Sequence, residues 1–190
     1  MNSEEKSDVF FQEALAAETS SDWPTVKGKC EQGLQIEGIP PSREAHFRRL
    51  RAKALVSMGM KRRDAYDAPL LREAIAEIER AIPNFQPDSA TGKRYLIELY
   101  GNCADASYAL SMTQTGSDRK RALVLQATEN YEKLLQLRPE DRKTRELLDH
   151  LKKQLALGTQ QGVKSGCFSV ILIAIAGVCS ILSILIAGLK

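Results

Sequence analysis

From Cys167 to Leu189 the chain runs CFSVILIAIAGVCSILSILIAGL, 23 residues without a charge, followed by Lys190. As a helix this stretch is about 34 Å long at 1.5 Å of rise per residue, enough to cross a hydrocarbon core of about 30 Å with some tilt. A soluble domain of this size has no core wide enough to cover such a helix on every side. The reading is a transmembrane helix at 167–189, preceded by a linker at 158–166 and by a helical domain over 1–157.

The first 30 residues are acidic and interrupted and hold no apolar run of 7–15 residues, so no secretory signal is expected there. The expectation is a single-pass membrane protein, tail-anchored, with its N-terminal domain in the cytosol. Lys152, Lys153 and Lys164 fall on the cytosolic side in that topology, in keeping with the positive-inside bias. In a reducing cytosol the four cysteines need no disulfide framework. None forms a CxxC pair or sits at ligand spacing from a histidine. Cys30 and Cys103 read as small core residues, Cys179 lies within the span, and Cys167 fills space at the membrane boundary or accepts a palmitoyl group.

Charge is unevenly spread. Residues 1–41 hold 3 Lys or Arg against 8 Asp or Glu, and residues 42–66 hold 8 against 2. An acidic first hairpin therefore precedes a basic helix, and the two are expected to pair.

Apolar spacing places the helices. The first hairpin, 7–38, has Phe10, Ala14 and Ala17 on one helix, a turn at Ser20 and Ser21 with Asp22 as N-cap, and Trp23, Val26, Cys30, Gly33 and Leu34 on the other. The second, 42–83, starts with Ser42 as a cap and an amphipathic helix carrying Phe47, Leu50, Ala54 and Met58, closed by Gly59. An insertion, KRRDAYDA, leads to a helix with Leu70, Ala74, Ile78 and Ala81, stopped by Pro83 and Pro87. The third, 89–138, opens with a helix apolar around most of its circumference, Leu96 to Leu110, expected at the centre of the domain. Its partner carries Ala127, Tyr131, Leu134 and Leu135, and a helix over 140–157 with Leu147, Leu148, Leu151 and Leu155 closes the array.

These hairpins resemble the 34-residue tetratricopeptide (TPR) pattern. ATENYEKLLQLRPED supplies Ala127, Tyr131, Leu134, Leu135 and Pro139, and the preceding helix supplies Ile97, Tyr100, Gly101 and Ala104. The fold class is all-α, a TPR-like helical-hairpin solenoid followed by one transmembrane helix.

No catalytic motif is present. His46 and His150 have no HExxH spacing and read as exposed structural histidines, and there is no glycine-rich phosphate loop and no GxSxG. The chain is expected to be no enzyme and to use no cofactor or metal. Arg48, Arg49, Arg51 and Lys53, with Lys61, Arg62 and Arg63, form a basic patch suited to anionic lipid or an acidic peptide, or else a solvated face paired with the acidic hairpin. Without interleaved aromatics it does not suit nucleic acid. The inner helices of a TPR array line a groove for helices or extended peptides, and here the groove is expected to present Arg48, Tyr95, Glu98, Asn102 and Asp105. Phe11, Leu15, Tyr95 and Leu99 stand where chaperone-binding TPR domains carry a clamp of Lys and Asn.

LREAIAEIERAIP, YEKLLQLRPEDRKTRELLDHLKKQLALG and the apolar segment that follows make residues 45–190 similar to the mitochondrial fission 1 protein family. The resemblance implies an adaptor that recruits a cytosolic protein, organelle fission machinery among the candidates, to the outer membrane of mitochondria or to peroxisomes. The span departs from that family in being Ile-rich with a single Lys190 after it, which suits the endoplasmic reticulum as the alternative membrane. Other functions open to such a chain are a targeting or import receptor and an endoplasmic-reticulum cochaperone. Within the span, Gly166, Ser169, Ile173, Ala176, Ser180, Ser183 and Ala187 continue a seam from Gly162 at alternating spacings of four and three. Six of those seven are small, so the span is expected to pair with a second copy.

Overall fold

The computed structural model describes residues 2–61 and 65–163, with side-chain surroundings through Leu157. Seven α-helices are present and, among the described residues, no strand. The chain is all-α.

Each helix start follows from its local sequence. Helix α1 (Ser3–Thr19) opens with a capping box: the Asn2 side chain accepts from Glu5 N–H at 2.8 Å, and the Glu5 carboxylate accepts from Asn2 N–H at 2.9 Å. Ser21, at φ 58°, makes the turn, and Asp22 caps α2 (Trp23–Leu34), with Pro24 in its first turn. The α3 start differs from the sequence reading. Helix α3 (Pro41–Gly59) has Pro40 as its N-cap and no side-chain cap, so Ser42 lies inside the helix. Pro41 explains this: its fixed φ is preorganised for the first helical position, where its missing N–H is no loss. Asp67 caps α4 (Ala68–Ala81), which passes into a 3₁₀ turn at Ile82–Asn84. The Ser89 hydroxyl accepts from Gly92 N–H at 2.9 Å to start α5 (Ala90–Met112). Helix α6 (Ser117–Leu137) follows, and Asp141 accepts from Thr144 N–H at the head of α7 (Arg142–Val163). That last helix runs on through 158–163, where the sequence suggested linker.

The chain falls into two compact units, the first Met1–Asp149 and the second beginning at His150. In the first unit each helix from α1 to α5 packs on the next. The odd-numbered helices also touch one another, α1 with α3 and α3 with α5. They therefore form one layer, with the even-numbered helices behind it. Helix α5, expected at the centre, packs on α3, α4 and α6, while α3 packs on α1, α2, α4 and α5.

Two apolar clusters share α3. Phe47, Leu50 and Ala54 join Ala14, Ala17, Val26 and Cys30 from the first hairpin. Ala52, Leu55 and Val56 join Leu71, Ala74, Ile78, Leu99 and Cys103. Burying each of the larger side chains contributes roughly 1.5–3 kcal/mol. Helix α3 is thus covered on both flanks, and the amphipathic helix with one apolar stripe is corrected to a helix wedged between two cores. Its arginines are long enough to reach carboxylates from that position, so they mask its burial in the sequence. Close approach is needed at Gly33, where a Cβ would stand 2.3 Å from the Phe47 ring. Cys30 and Cys103 are buried free thiols, as expected. Among the described residues no helix is long and apolar enough to cross a membrane. The expected span at 167–189 and its seam, Gly166 to Ala187, lie outside the described residues.

Candidate binding cleft

The odd-helix layer encloses a cleft of about 540 Å³. Helix α1 contributes Phe11, Leu15 and Glu18 at helical spacings of four and three, α3 contributes Arg49 and Lys53, and α5 contributes Arg94, Tyr95, Ile97 and Glu98. Phe11, Leu15 and Ile97 make its apolar surface. Helix α1 is a wall of the cleft and not an occupant of it.

Two ion pairs cross the cleft. Arg49 Nη1 donates to both carboxylate oxygens of Glu98, at 2.7 and 2.8 Å, and Lys53 Nζ donates to Glu18 at 2.7 Å. Arg49 is only 5% exposed, and its Nε has no partner among the described residues. Tyr95 orders the cationic side of the site: the Arg49 guanidinium lies 4.5 Å from its ring centroid and that of Arg94 5.3 Å.

An aromatic row continues from the cleft. His46 stands edge-on to Tyr95 at 5.0 Å and to Phe85 at 5.4 Å, with Phe11 at 5.8 Å. The exposed histidine of the sequence reading is corrected to a half-buried, stacked ring whose Nδ1 is buried without a partner among the described residues. Burial holds its pKa below the usual imidazole value, and the positive charges of Arg49 and Arg43 add to the effect. His150 is exposed, as expected, with its Nε2 2.9 Å from Gln154 Nε2.

Of the five residues expected in the groove, Tyr95 and Glu98 line it. Arg48 does not: it turns toward α4 and donates to Glu44 and Glu77, and its neighbour Arg49 takes the groove position. Asp105 accepts the Tyr131 hydroxyl at 2.5 Å and so serves the α5–α6 contact, and burial above all raises the Tyr131 pKa. Asn102 is half-buried, its Nδ2 unpartnered among the described residues. The residues missed were Arg49 and Lys53, assigned to the basic patch, and Glu18, Arg94 and Ile97. The usable signal was charge complementarity at i,i+4 spacing, Arg49 and Lys53 on α3 against Glu98 and Glu18.

The basic patch is corrected as well. Arg51 pairs with Glu31, Glu73 and Glu77, while Arg48, Arg49 and Lys53 pair as above. These cations are internal ties between helices, with Glu31 and Glu18 of the acidic hairpin taking part as expected. Lys61 is exposed, and Arg62 and Arg63 lie outside the described residues. Glu77, 3% exposed, gathers Arg48, Arg51 and Arg80 at 2.9–3.0 Å. Among the described residues no group of three or more His, Cys, Asp or Glu side chains is placed to hold a metal ion.

No protein-family model matches the chain, and no curated protein or solved structure matches it either.

Proposed function

We propose that this chain is a membrane-anchored adaptor. The cleft between α1, α3 and α5 takes a helix or peptide from a cytosolic protein, and the apolar segment 167–189 holds the complex on an organelle surface. The cleft carries this reading, because it combines an apolar wall of Phe11, Leu15 and Ile97 with ordered charges on the inner layer of stacked helical hairpins. That layering is what a TPR-like solenoid requires of its inner helices. The resemblance to the mitochondrial fission 1 family adds fission machinery as the recruited partner and mitochondria or peroxisomes as the membrane. The second copy expected along the seam of 167–189 would double the number of clefts on one assembly.

A targeting or import receptor is the second reading. Its support is the apolar wall, which suits the apolar face of an amphipathic targeting helix. A cochaperone that grips acidic chaperone tails has less support, since Leu99 is fully buried where such a clamp needs an exposed polar side chain.

Two measurements test the proposal. A fluorescent protein fused to residues 158–190 should decorate an organelle membrane, and a diffuse signal would remove the anchor. Pulldown by the full chain should recover a cytosolic protein that is lost with Ile97→Asp, a change at a half-buried cleft position. A partner set that Ile97→Asp leaves unchanged would remove the cleft from the function.

A further inference from the structure

Most of the arginines on the inner helices are tied to carboxylates. Arg43, Arg48, Arg49, Arg51, Arg80, Arg138 and Arg142 each pair with one or more. Arg72, Arg94, Arg119 and Arg145 pair with no carboxylate among the described residues; Arg94 lies over the Tyr95 ring and Arg145 donates to the Pro139 carbonyl, whereas Arg72 and Arg119 have no such substitute. Arg72 has Ala68 and Ala76 four residues away and Pro69 and Ile75 three away, and Arg119 has Leu123 and Ala122 at i+4 and i+3. Neither has a carboxylate three or four residues away on its own helix, and the nearest carboxylate of α4 on that side, Glu79, accepts from Gln126 at the edge of the hollow.

The two meet across one hollow. About 310 Å³ in volume, it lies between α4 and α6 over the end of α5, with Ile75, Leu110, Ala122 and Leu123 as its apolar surface and Arg72 and Arg119 as its only ionisable lining residues. It belongs to a different part of the unit from the cleft, which is built by α1, α3 and α5. The cleft balances three cations with two carboxylates; the hollow has two cations and no carboxylate. Its volume is at the small end of ligand-sized pockets, fitting anchor side chains more than a whole helix.

We propose that this hollow is a second docking site, for a protein segment that presents aliphatic anchor side chains flanked by carboxylates. The aliphatic groups enter between the helices, and each carboxylate accepts from one guanidinium, a geometry in which Arg excels because its planar fork holds a carboxylate through two N–H groups. Charge complementarity selects the partner: a basic segment would be repelled by both walls, and an uncharged one would leave both arginines unpaired beneath it. The recessed apolar surface between the cations favours a peptide over a bilayer, whose flat anionic face would meet the arginines and leave the hollow unfilled. The site is independent of the cleft, so the adaptor could hold two proteins at once.

The test is selection of randomised twelve-residue displayed peptides on the full chain in mild detergent, against the Arg72→Ala/Arg119→Ala variant and an Ala122→Glu variant. These three positions are exposed, and circular dichroism checks that both variants keep their helices. The expected result is a peptide family enriched in Asp or Glu beside Leu, Ile or Phe. Its affinity should fall about tenfold or more in both variants, as the loss of two charge-assisted contacts implies, and should persist in Ile97→Asp, which alters only the cleft. Selected peptides that bind both variants as well as the parent chain, or a variant-sensitive family without acidic enrichment, overturn the proposal. So does an outcome in which no peptide depends on Arg72 and Arg119 while binding to phosphatidylserine vesicles does, which would make the hollow a lipid site. Peptides that bind only the cleft overturn the second site and leave the adaptor reading standing.

Discussion

Replacing Glu77 with Gln should cost about 3 kcal/mol of stability, and the size follows from the carboxylate's surroundings. Its side chain is 3% exposed, accepts from Arg48 at 2.9 Å and Arg80 at 3.0 Å, and is ion-paired with Arg51 at 2.9 Å. Two unit charges at such separation attract by about 6 kcal/mol at an effective dielectric of 20, and the buried carboxylate has given up several kcal/mol of hydration to be there. Removing one partner of a buried pair costs about 3–5 kcal/mol. The low end applies because Arg48 keeps Glu44, and Arg51 keeps Glu31 and Glu73. Gln preserves the volume but turns an amide NH₂ toward three guanidinium groups. For a unit of this size, about 3 kcal/mol lowers Tm by roughly 6–12 °C. Thermal unfolding of the full chain in non-ionic detergent, followed by far-UV circular dichroism, reads that shift. Arg80→Gln is the control: Arg80 is 62% exposed, so its loss should cost under about 1 kcal/mol. A Glu77→Gln change no larger than the Arg80→Gln change would refute the view that Glu77 ties α3 to α4.

Gly33→Ala adds a Cβ that would stand 2.3 Å from the fully buried Phe47 ring, so overpacking of about 1–3 kcal/mol should outweigh the helix-propensity gain of at most about 1 kcal/mol; a raised Tm would refute the close contact. His46 is held below the ordinary imidazole pKa of about 6.5, among Arg43, Arg49 and the rings of Phe11, Phe85 and Tyr95. The unfolded chain therefore binds this proton first, and stability present above about pH 6.5 is lost as pH falls through the folded pKa; His46→Gln should flatten Tm against pH over that window. Glu31, also depressed, through Lys27 and Arg51 acting against its burial, adds a separate loss at lower pH that His46→Gln should leave in place. Burial pushes the thiols of Cys30 and Cys103 up to about 12 and about 11, so iodoacetamide at pH 8 should label neither in the folded chain and both in urea, as read by peptide mass spectrometry.

Much of the architecture was legible because it is local. Asp22, Gly59, Pro69, Pro83 and Pro139 punctuate helices through caps, missing N–H groups and fixed backbone angles, and these act within a few residues. Where two local signals competed, at Ser42 beside Pro41, the pyrrolidine ring prevailed over the hydroxyl. The cleft was half legible. On α5 the stripe through Tyr95 and Glu98 was found, but on α3 the inward arginine was taken as Arg48 when it is Arg49. A one-residue step on a helix is a rotation of 100°, and α3 carries arginines at three of four successive positions, so its own sequence cannot mark which one faces inward.

An all-α chain, the order of its helices and the apolar stretch from Cys167 to Leu189 follow from the residues alone, because periodicity, caps and uninterrupted hydropathy are properties of neighbours along the chain. What the charges do depends on packing. Arg49 and Arg51 look like surface residues of a polar helix face, yet they reach carboxylates 20–49 positions away on α2, α4 and α5. The same packing left Arg72 and Arg119 without carboxylates beside an apolar hollow. A guanidinium becomes a buried tie or an open binding group according to which helix lies across from it. That depends on the stacking of the hairpins, a long-range outcome that no window of the sequence contains.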